Sequence, residues 1–552
     1  MATSNPLHRL KQLMLAERED IGSLLAYGVG IGLMSLATPI AVQALVNTIA
    51  FGALLQPLVV LTLILLVLLS FSNTLVALQF YVVEMLQRRL FVRLFGTSAQ
   101  RLRNAVMSVR DHQYLPELAN RFFDVVSLQK TAASLLLETL GYLLQTLIGM
   151  ILLAFYHPLL LAFDLFLVAA LYLILFVMGK RGIPTAIEQS KAKYAAAAWL
   201  ENIAANPLLG KSRAGAEFVD QQTEKFAHHY LEACVAHFRI LSRQNIGALV
   251  LHTLANTALL GMGGWMVIER QLSLGQLIAA ELVVNAMVYG LTRLGKNLDN
   301  FYELVASVDK IGYLLDLPQE TAQDGQPEIT ESAYRLEIRQ LCLPDSPYCD
   351  GANGLDLLLA AGDKLAISTG AERGSLLDTI CGLRTPSAGQ ILLNGHDLRD
   401  LNLGQLRDHV SLVRHTELVE ATIAENLSLG RDLPLVKLRQ ALEQVGLLET
   451  VSALPEGMQT ELCPQGGPLN DEQALRLTLA RAIAGNPNLL LIDKALDRID
   501  TRYLPVLLEA LTAPNAPWTL LVVSHEPLVL AHFRRQVMLA DGRLVENDTK
   551  GE

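Results

Sequence analysis

The sequence has few charged residues and, over a long stretch near its start, none at all. Asp, Glu, Lys and Arg make up 18% of the 552 residues, against about 25% in an average soluble protein. Between Ile21 and Val83 there is no charged residue and no histidine. As helix, such a run is long enough to cross a hydrocarbon core of about 30 Å twice. This deficit argues against a soluble globular protein and predicts a membrane protein.

An excess of basic residues and paired cysteines are also missing. With 44 basic and 54 acidic residues the net charge is -10, which offers no general attraction for nucleic acid, so DNA and RNA are not expected as partners. The five cysteines have no C-x-x-C spacing, so free thiols in a reducing compartment are expected, not a zinc site or a disulfide framework. Residues 1–20 lack the apolar core of a secretory signal. The first span is therefore expected to stay in the mature protein.

Apolar stretches predict six transmembrane helices. Two fit within residues 21–83, and four more are at about 132–156, 157–179, 245–268 and 272–292. The connections after the second and fourth spans are rich in Lys and Arg, whereas the opposing turns carry only Arg270. The positive-inside rule then predicts that the basic connections and both chain termini are cytoplasmic. The two basic connections are rich in Leu, Ala, Gln and Glu, which predicts that they are helical and extend the spans.

Five ionisable residues fall within the predicted spans: Glu84, Glu138, Asp164, His252 and Glu281. A charge inside the bilayer costs at least a few kcal/mol unless it faces a wet cavity or a partner. Two interpretations stay open. Either these residues line a substrate path, or they pair with neighbouring helices and, in the case of Glu84, reach the membrane interface.

A second type of sequence begins after the last span. The segment 316–333 is rich in Pro, Gln, Asp, Glu and Thr, which marks a linker between residues 1–315 and a soluble domain at 334–552. In this domain the pattern predicts an edge strand at Tyr334–Leu343 and a helix at Ser375–Leu383. It predicts three further strands, at Lys364–Ser368, Asn488–Asp493 and Thr519–Ser524. The apolar interior of the Asn488–Asp493 strand is typical of a parallel strand buried on both faces. An α/β domain on a mostly parallel sheet is predicted.

The order of motifs in this domain resembles the nucleotide-binding domain of the ABC exporter family. The anchors are Leu376-Leu377, Gly382-Leu383, Ser387 to Gly395, Thr422 to Leu427, Leu454 to Thr460 and Leu477 to Pro487. The membrane half, at Glu17–Ile49 and Leu200–Phe218, is similar to bacterial toxin, peptide and lipid exporters, especially those of type I secretion, and no peptidase is expected ahead of its spans. The resemblance implies an α-helical six-span transmembrane domain followed by an α/β P-loop-NTPase-like (ABC) nucleotide-binding domain.

Within this resemblance, residues 367–375 match the phosphate loop, but the residues that would touch nucleotide are altered. Such a loop needs glycines whose backbone approaches the phosphates, a lysine, and a hydroxyl for Mg²⁺. Here Glu372 replaces a glycine and places a carboxylate beside a triphosphate, a repulsion of several kcal/mol at low dielectric. Arg373 replaces the lysine and Gly374 the hydroxyl residue. The resemblance assigns a weak or lost ATP site to Gly370, Arg373, Gly374, Ser375 and, in the signature, Gln473.

Four further positions match the family's catalytic residues: Asp493, Lys494, His525 and His415. Asp493 keeps the metal-side aspartate of the Walker B strand, but Lys494 replaces the general-base glutamate, and a protonated lysine cannot accept a proton from water. His415 is matched to the glutamine that contacts Mg²⁺, and His525 to the switch histidine. The signature, at residues 469–473, has two carboxylates in place of its glycine pair. No metal ligands are assigned.

The resemblance implies ATP and Mg²⁺ as cofactors, and the altered residues put both in question. It also implies the lipid bilayer of the cell (inner) membrane, a homodimer or a heterodimer with another ABC half-transporter, and secretion accessory proteins as partners. One hypothesis is a subunit of an ABC-type exporter whose partner supplies the missing chemistry. The alternative is a non-transporting, ABC-derived membrane scaffold or regulator that does not turn over ATP. An autonomous ATP-driven exporter is disfavoured because too many catalytic positions are altered at once.

Overall fold

The structure is a computed structural model that describes residues 5–50, 55–320, 333–343, 354–369, 375–463, 466–540 and 543–546. Contacts divide the chain into two compact units. The first comprises Met1–Ala105 and His112–Gln319, and the second comprises Val106–Asp111 and Glu320–Glu552. Most of the predicted linker, residues 321–332, lies outside the described residues.

The first unit is helical in the residues described. Its helices are α1 (Pro6–Ala16), α2 (Arg18–Ser35), α3 (Ala37–Ala50), α4 (Leu55–Arg103), α6 (Leu115–Asn120), α7 (Asp124–Ser134), α8 (Leu140–Tyr156), α9 (Pro158–Tyr172), α10 (Gly182–Ala205), α11 (Arg213–Ile268), α12 (Leu274–Thr292) and α13 (Leu294–Leu315). Helix α5 (Ser108–His112) begins in the short segment that belongs to the second unit. Two π-helical turns, Leu135–Thr139 and Leu173–Met178, continue α7 and α9.

Five helical stretches among the described residues are long and apolar enough to cross a membrane: Arg18–Thr48, Gln56–Arg103, Leu115–Tyr156, Pro158–Met178 and Arg213–Ile268. The sixth predicted span corresponds to α12, whose apolar stretch Leu274–Met287 is shorter. The count of six spans therefore stays a prediction. Helices α4 and α11 have 49 and 56 residues, far more than the roughly 20 that a bilayer requires, as expected if the basic connections extend the spans.

The ionisable residues of the predicted spans have different surroundings. Glu84 accepts a hydrogen bond from Arg88 at 2.9 Å, and Glu138 pairs with Lys296 at 3.3 Å. Glu138 therefore pairs with another helix, as the pairing interpretation expects, whereas the partner of Glu84 lies one turn along the same helix, α4. Asp164 in α9 is buried, and neither of its carboxylate oxygens has a hydrogen-bond partner among the described residues.

The second unit contains two sheets. Its strands are β1 (Leu336–Cys342), β2 (Leu355–Leu359), β3 (Lys364–Thr369), β4 (Ala388–Leu393), β5 (His396–Asp397), β6 (Val410–Val413), β7 (Leu489–Asp493), β8 (Thr519–Val523), β9 (Arg535–Ala540) and β10 (Arg543–Glu546). The larger sheet has the order β10-β9-β3-β8-β7-β6 and is parallel from β9 to β6. The smaller one has the order β2-β1-β4-β5 and is antiparallel. The predicted α/β domain on a mostly parallel sheet is confirmed.

Helices and the smaller sheet cover the two faces of the parallel sheet. The helices are α14 (Ser375–Ile380), α15 (Leu403–His409), α16 (Ile423–Ser428), α17 (Leu435–Gln444), α18 (Leu448–Ser452), α19 (Asp471–Ala484), α20 (Leu504–Thr512) and α21 (Pro527–His532). Side chains alternate between the faces of a strand. Accordingly Leu489 and Leu491 of β7 pack with residues of the smaller sheet, whereas Leu490 and Ile492 pack with the helices. All five residues of β7 are buried, as predicted.

Two expectations from the sequence are wrong. Strand β1 is not an edge strand, because β2 and β4 pair with its two sides; alternation reports one exposed face and does not report an unpaired edge. Cys342 is disulfide-bonded, since a disulfide depends on the approach of two cysteines in space and not on their spacing in sequence. Cys234, Cys381 and Cys463 are free thiols.

Candidate functional site

The carboxyl ends of the parallel strands bring the candidate residues to one edge of the larger sheet. Strand β6 ends at Val413 and is followed by Arg414, β7 ends with Asp493, and β8 is followed by Ser524. The backbone N–H of Ser524 donates to the carbonyl of Ile367 in β3 at 3.1 Å. This edge is where ligands bind in open α/β sheets.

Arg414 bridges two buried carboxylates at this edge. Its Nε donates to Oδ2 of Asp493 at 2.5 Å, and its Nη2 donates to Oδ1 of Asp378, in α14, at 2.8 Å. Burial lowers the pKa of the Arg414 guanidinium, but the two carboxylates outweigh this effect and the pKa is raised overall. Because a buried carboxylate without a partner is costly, this guanidinium offsets the burial of Asp493 and part of the burial of Asp378.

The bridge continues to a segment distant in sequence. Nε of Arg384 donates to Oδ2 of Asp378 at 3.0 Å, and the two terminal nitrogens of Arg384 donate to the two oxygens of Asp111 at 2.7 and 2.8 Å. Hydrogen bonding to Asp111 raises the pKa of Arg384. Asp493, Arg414, Asp378, Arg384 and Asp111 thus form a continuous ion-pair chain, which ends in the 106–111 segment of the second unit.

His415 faces the same segment and not Asp493. Its Nε2 lies 3.2 Å from Nη2 of Arg110 and 3.2 Å from a carboxylate oxygen of Glu417. Burial lowers the pKa of His415, while Glu417 acts in the opposite direction. The side chain that contacts the metal-side aspartate is therefore Arg414, the neighbour of the residue selected from the sequence.

Lys494 follows β7 in an unusual backbone conformation. Its φ is 55°, a left-handed value that is uncommon for a residue with a side chain, and its N–H donates to the carbonyl of Val523 at 2.8 Å. An ammonium group here adds positive charge to the edge of the sheet. It cannot act as a general base for water.

The switch position is held through its backbone. Asp497 accepts a hydrogen bond from the hydroxyl of Ser524 and another from the N–H of His525 at 3.0 Å. The side chain of His525 is exposed. The carboxylate of Asp497 therefore fixes the turn after β8 and leaves the imidazole outside the ion-pair chain.

The signature forms the start of α19, and its polar residues stabilise that helix. The side chain of Asn470 accepts from the N–H of Gln473 at 2.8 Å, and the side chain of Gln473 accepts from the N–H of Asn470 at 3.0 Å. This is a capping box, so Gln473 is engaged in capping. Asp471 and Glu472 lie in the first turn, where negative charge interacts favourably with the helix dipole. The polar residues of this segment thus stabilise the start of α19 from within the chain.

Glu472 is also paired with a buried arginine. Nε and Nη2 of Arg476 lie 2.8 and 3.0 Å from the two oxygens of Glu472. Arg476, which is 1% exposed, donates as well to the carbonyls of Val445 and Gly446, and its Cζ lies 3.8 Å from the centroid of the Tyr503 ring. The second acidic residue of the signature is therefore bound to a buried arginine of this unit.

A cleft of about 580 Å³ separates the signature from the end of β6. It is lined by His415, Thr416, Leu418, Asp471, Glu472, Ala474, Leu475 and Arg498. Asp471 and Glu472 lie among its lining residues together with the cationic Arg498.

The residues at this edge do not fit Mg²⁺. The ion needs several oxygen ligands in octahedral geometry, but Asp493 is paired with Arg414 and its neighbour is Lys494. Among the residues that the structure describes, no group of three or more His, Cys, Asp or Glu side chains is placed to hold a metal.

Part of the predicted site lies outside the described residues, namely Gly370, Arg373 and Gly374. Ser375 is the first residue of α14. The structure brings Asp493, Lys494 and the backbone of His525 to the sheet edge, whereas Gln473 is at the start of α19. Sequence reasoning missed Arg414, Asp378, Arg384, Asp111 and Asp497. One feature of the sequence could have pointed to Arg414: it is the first residue after the strand β6, where residues of a site at the sheet edge are expected.

Comparison with known proteins agrees with this fold. Residues 352–497 match the family model described as ABC transporter. The leukotoxin export ATP-binding protein LtxB of Aggregatibacter actinomycetemcomitans is 28% identical over 293 residues, which are 52% of this chain and 41% of that protein. The alpha-hemolysin translocation ATP-binding protein HlyB of Escherichia coli is 27% identical over 320 residues, 56% of this chain and 45% of that protein. The chain thus spans less than half the length of these curated relatives.

Similarity to a solved structure extends over almost the whole chain. A bacterial Atm1-family ABC exporter with ATP bound superposes with a TM-score of 0.83 at 19% identity, covering 96% of this chain and 94% of that one. The fold is therefore that of an ABC exporter: a helical, transmembrane-like N-terminal region followed by a C-terminal ABC nucleotide-binding domain. Within this class, the chain is similar to the ATP-binding proteins of toxin export.

Proposed function

We propose that this chain is a subunit of an ABC-type membrane exporter, acting in a dimer, whose own nucleotide site binds ATP weakly and does not hydrolyse it. The observation that carries the proposal is the contact of Arg414 with Asp493, together with Lys494 at the next position. The metal-side aspartate is neutralised from within the chain and the general base is absent. In this proposal residues 1–315 form the membrane domain and 334–552 the nucleotide-binding domain.

A heterodimer explains these features better than a homodimer. By resemblance, each composite ATP site in such dimers combines the phosphate loop of one chain with the signature of the other. A homodimer of this chain has both halves altered at both sites. The relatives named for toxin translocation and export favour a protein as the exported substrate.

The test is made in the native host. Deleting the chain should remove specific proteins from the culture medium, and the solubilised, tagged chain should carry one second half-transporter with intact ATP-binding motifs in a 1:1 ratio. Complementation with a His525→Ala variant should restore export fully, whereas an equivalent substitution in the partner should not. Normal export after deletion, or a His525→Ala defect equal to deletion, would contradict the proposal.

A non-transporting regulator or scaffold is the second candidate. The acidic signature favours it, because Asp471 and Glu472 would also repel the phosphate bound by a partner chain. This candidate predicts that deletion changes the amount or activity of another membrane complex while the exported proteins remain unchanged.

We place both termini in the cytoplasm, and cysteine labelling tests this orientation. In a version without native cysteines, single cysteines at Gln56 and Gln271 should react with an impermeant maleimide added to intact cells, because both positions fall in turns that are poor in basic residues. A cysteine at Gln113 should react only after the cells are opened. Labelling of the Gln113 site in intact cells would reverse the topology.

Weak nucleotide binding is tested by thermal unfolding of the full chain in lipid nanodiscs. Stabilisation by a ligand at a concentration equal to its Kd is only about 0.4 kcal/mol. We therefore expect 1 mM Mg–ATP to leave the melting temperature within roughly 1 °C of its value in magnesium chloride alone. A shift of several degrees at micromolar ATP would instead identify the chain as a nucleotide-binding sensor.

A further inference from the structure

Two buried carboxylates at the end of the parallel sheet share one internal cation. Asp378 and Asp493 come from different elements, α14 and β7, and both side chains are almost fully buried. A buried pair of carboxylates repels unless a cation lies between them. Here the guanidinium of Arg414 lies between them, donating to each aspartate through a different nitrogen.

This arrangement excludes a divalent metal by competition for the same oxygen atoms. Mg²⁺ requires carboxylate lone pairs that point at the ion, and Oδ2 of Asp493 already accepts from Nε of Arg414 at 2.5 Å. Displacing Arg414 would leave a partly buried guanidinium without its partners. Breaking a buried ion pair in this way is strongly unfavourable.

The local charge count leads to the same conclusion. The ion-pair chain has three aspartates and two arginines, and Lys494 follows Asp493 directly. Among the described residues of this ion-pair chain, the negative charge is therefore matched by positive side chains. Adding a doubly charged metal would create an excess of positive charge where the protein offers no further described carboxylate cluster.

We propose that Arg414 is a resident cation that takes the place of a divalent metal, so that this edge of the sheet is metal-independent in all states of the chain. The inference rests on the proposed function in one respect: both assume that this edge of the sheet corresponds to the nucleotide site of ABC exporters. Arg414 also connects that edge, through Asp378 and Arg384, to Asp111 in the 106–111 segment. The charge that a metal would bring and remove with each catalytic cycle is therefore permanent in this chain.

Manganese binding to the full chain in nanodiscs tests this assignment without nucleotide. Electron paramagnetic resonance should detect no Mn²⁺ bound to the wild-type chain beyond that bound to the Asp493→Asn variant. Arg414→Gln frees Asp493 and one oxygen of Asp378, Oδ1, while Oδ2 of Asp378 stays paired with Arg384. The variant also adds an amide oxygen, so it should gain one Mn²⁺ with an affinity at least about tenfold above that of the wild type. Arg384→Gln is the matched control, because it removes the other guanidinium from Asp378 and leaves Arg414 on Asp493. This control should gain no Mn²⁺.

The sign of a stability change gives an independent test that does not require Arg414→Gln to fold. If Asp493 belonged to an empty metal site, its buried carboxylate would have no cation beside it and would lower the stability of the fold. Asp493→Asn would then raise or preserve the melting temperature in EDTA. With Arg414 as resident cation, Asp493→Asn instead removes an ion pair and should lower it by several degrees, equally in EDTA and in magnesium chloride.

Two results would overturn the inference: Asp493-dependent Mn²⁺ binding by the wild-type chain, or an Asp493→Asn variant as stable as the wild type in EDTA. Equal Mn²⁺ gain by Arg414→Gln and Arg384→Gln would also contradict it. None of these outcomes decides whether the chain takes part in export, which is measured separately by deletion in the native host.

Discussion

Purified in lipid nanodiscs, the chain is expected to release phosphate from ATP no faster than the protein-free background. The variant Lys494→Glu is expected to behave in the same way. A general base contributes roughly 10²–10⁴ in rate where the rest of a site is in place. In Lys494→Glu the glutamate is restored, but Asp493 remains bound to Arg414. We therefore expect no Mg²⁺ at Asp493, and the restored base alone should not support hydrolysis.

The phosphate-release measurement needs an ABC exporter with intact motifs in the same nanodiscs as a positive control. His525→Ala should not change the signal of this chain, because the imidazole lies outside the ion-pair chain. Robust ATP hydrolysis by the wild-type chain that is abolished by Asp493→Asn or His525→Ala would refute the proposed loss of hydrolysis. It would indicate that the chain is an active, ATP-hydrolysing exporter.

The second large effect is on stability. Arg476→Met should destabilise the second unit by about 3 kcal/mol, because it removes a buried donor from the carbonyls of Val445 and Gly446 and takes the partner of Glu472 away. The Arg476 side chain also stacks on Tyr503. A drop of several degrees in the melting temperature of the full chain is the expected result.

Arg502→Met is the matched control. Arg502 is also an arginine beside Tyr503 and pairs with Asp500, but its side chain is 77% exposed. Exposed pairs contribute about 0–1 kcal/mol, so this variant should melt close to the wild type. Similar losses for Arg476→Met and Arg502→Met would contradict the assigned role of the buried pair.

The buried pair also affects any attempt to restore the signature. The triple variant Asn470→Ser, Asp471→Gly and Glu472→Gly rebuilds the family pattern but removes the partner of Arg476. We therefore expect it to be less stable than Asp471→Gly alone.

The strands and helices could be predicted where the signal is local. The apolar interior of β7 and the strand β8 are encoded by consecutive residues, and both occur within one residue of their predicted limits. The central place of β1 in its sheet could not be predicted in this way, because it depends on pairing with β4, about fifty residues further along the chain.

The site could be predicted only in part, for the same reason. Motif anchors in the sequence matched Asp493, Lys494 and His525 to catalytic positions, and that assignment stays a prediction. The ion-pair chain could not be predicted from such anchors, because Arg414 and Asp493 are 79 residues apart, and Arg384 and Asp111 are 273 residues apart. No local pattern distinguishes an arginine that will pair with a buried carboxylate from one that will face solvent.

Helix α11 has a mechanical consequence. It has 56 residues between Arg213 and Ile268 with no proline, so it is about 84 Å long if regular. Over such a length a tilt of about 5° around one end moves the other end by roughly 7 Å, more than one helical turn. For a helix of this length, a small change of tilt at one end therefore corresponds to a displacement of several ångströms at the other.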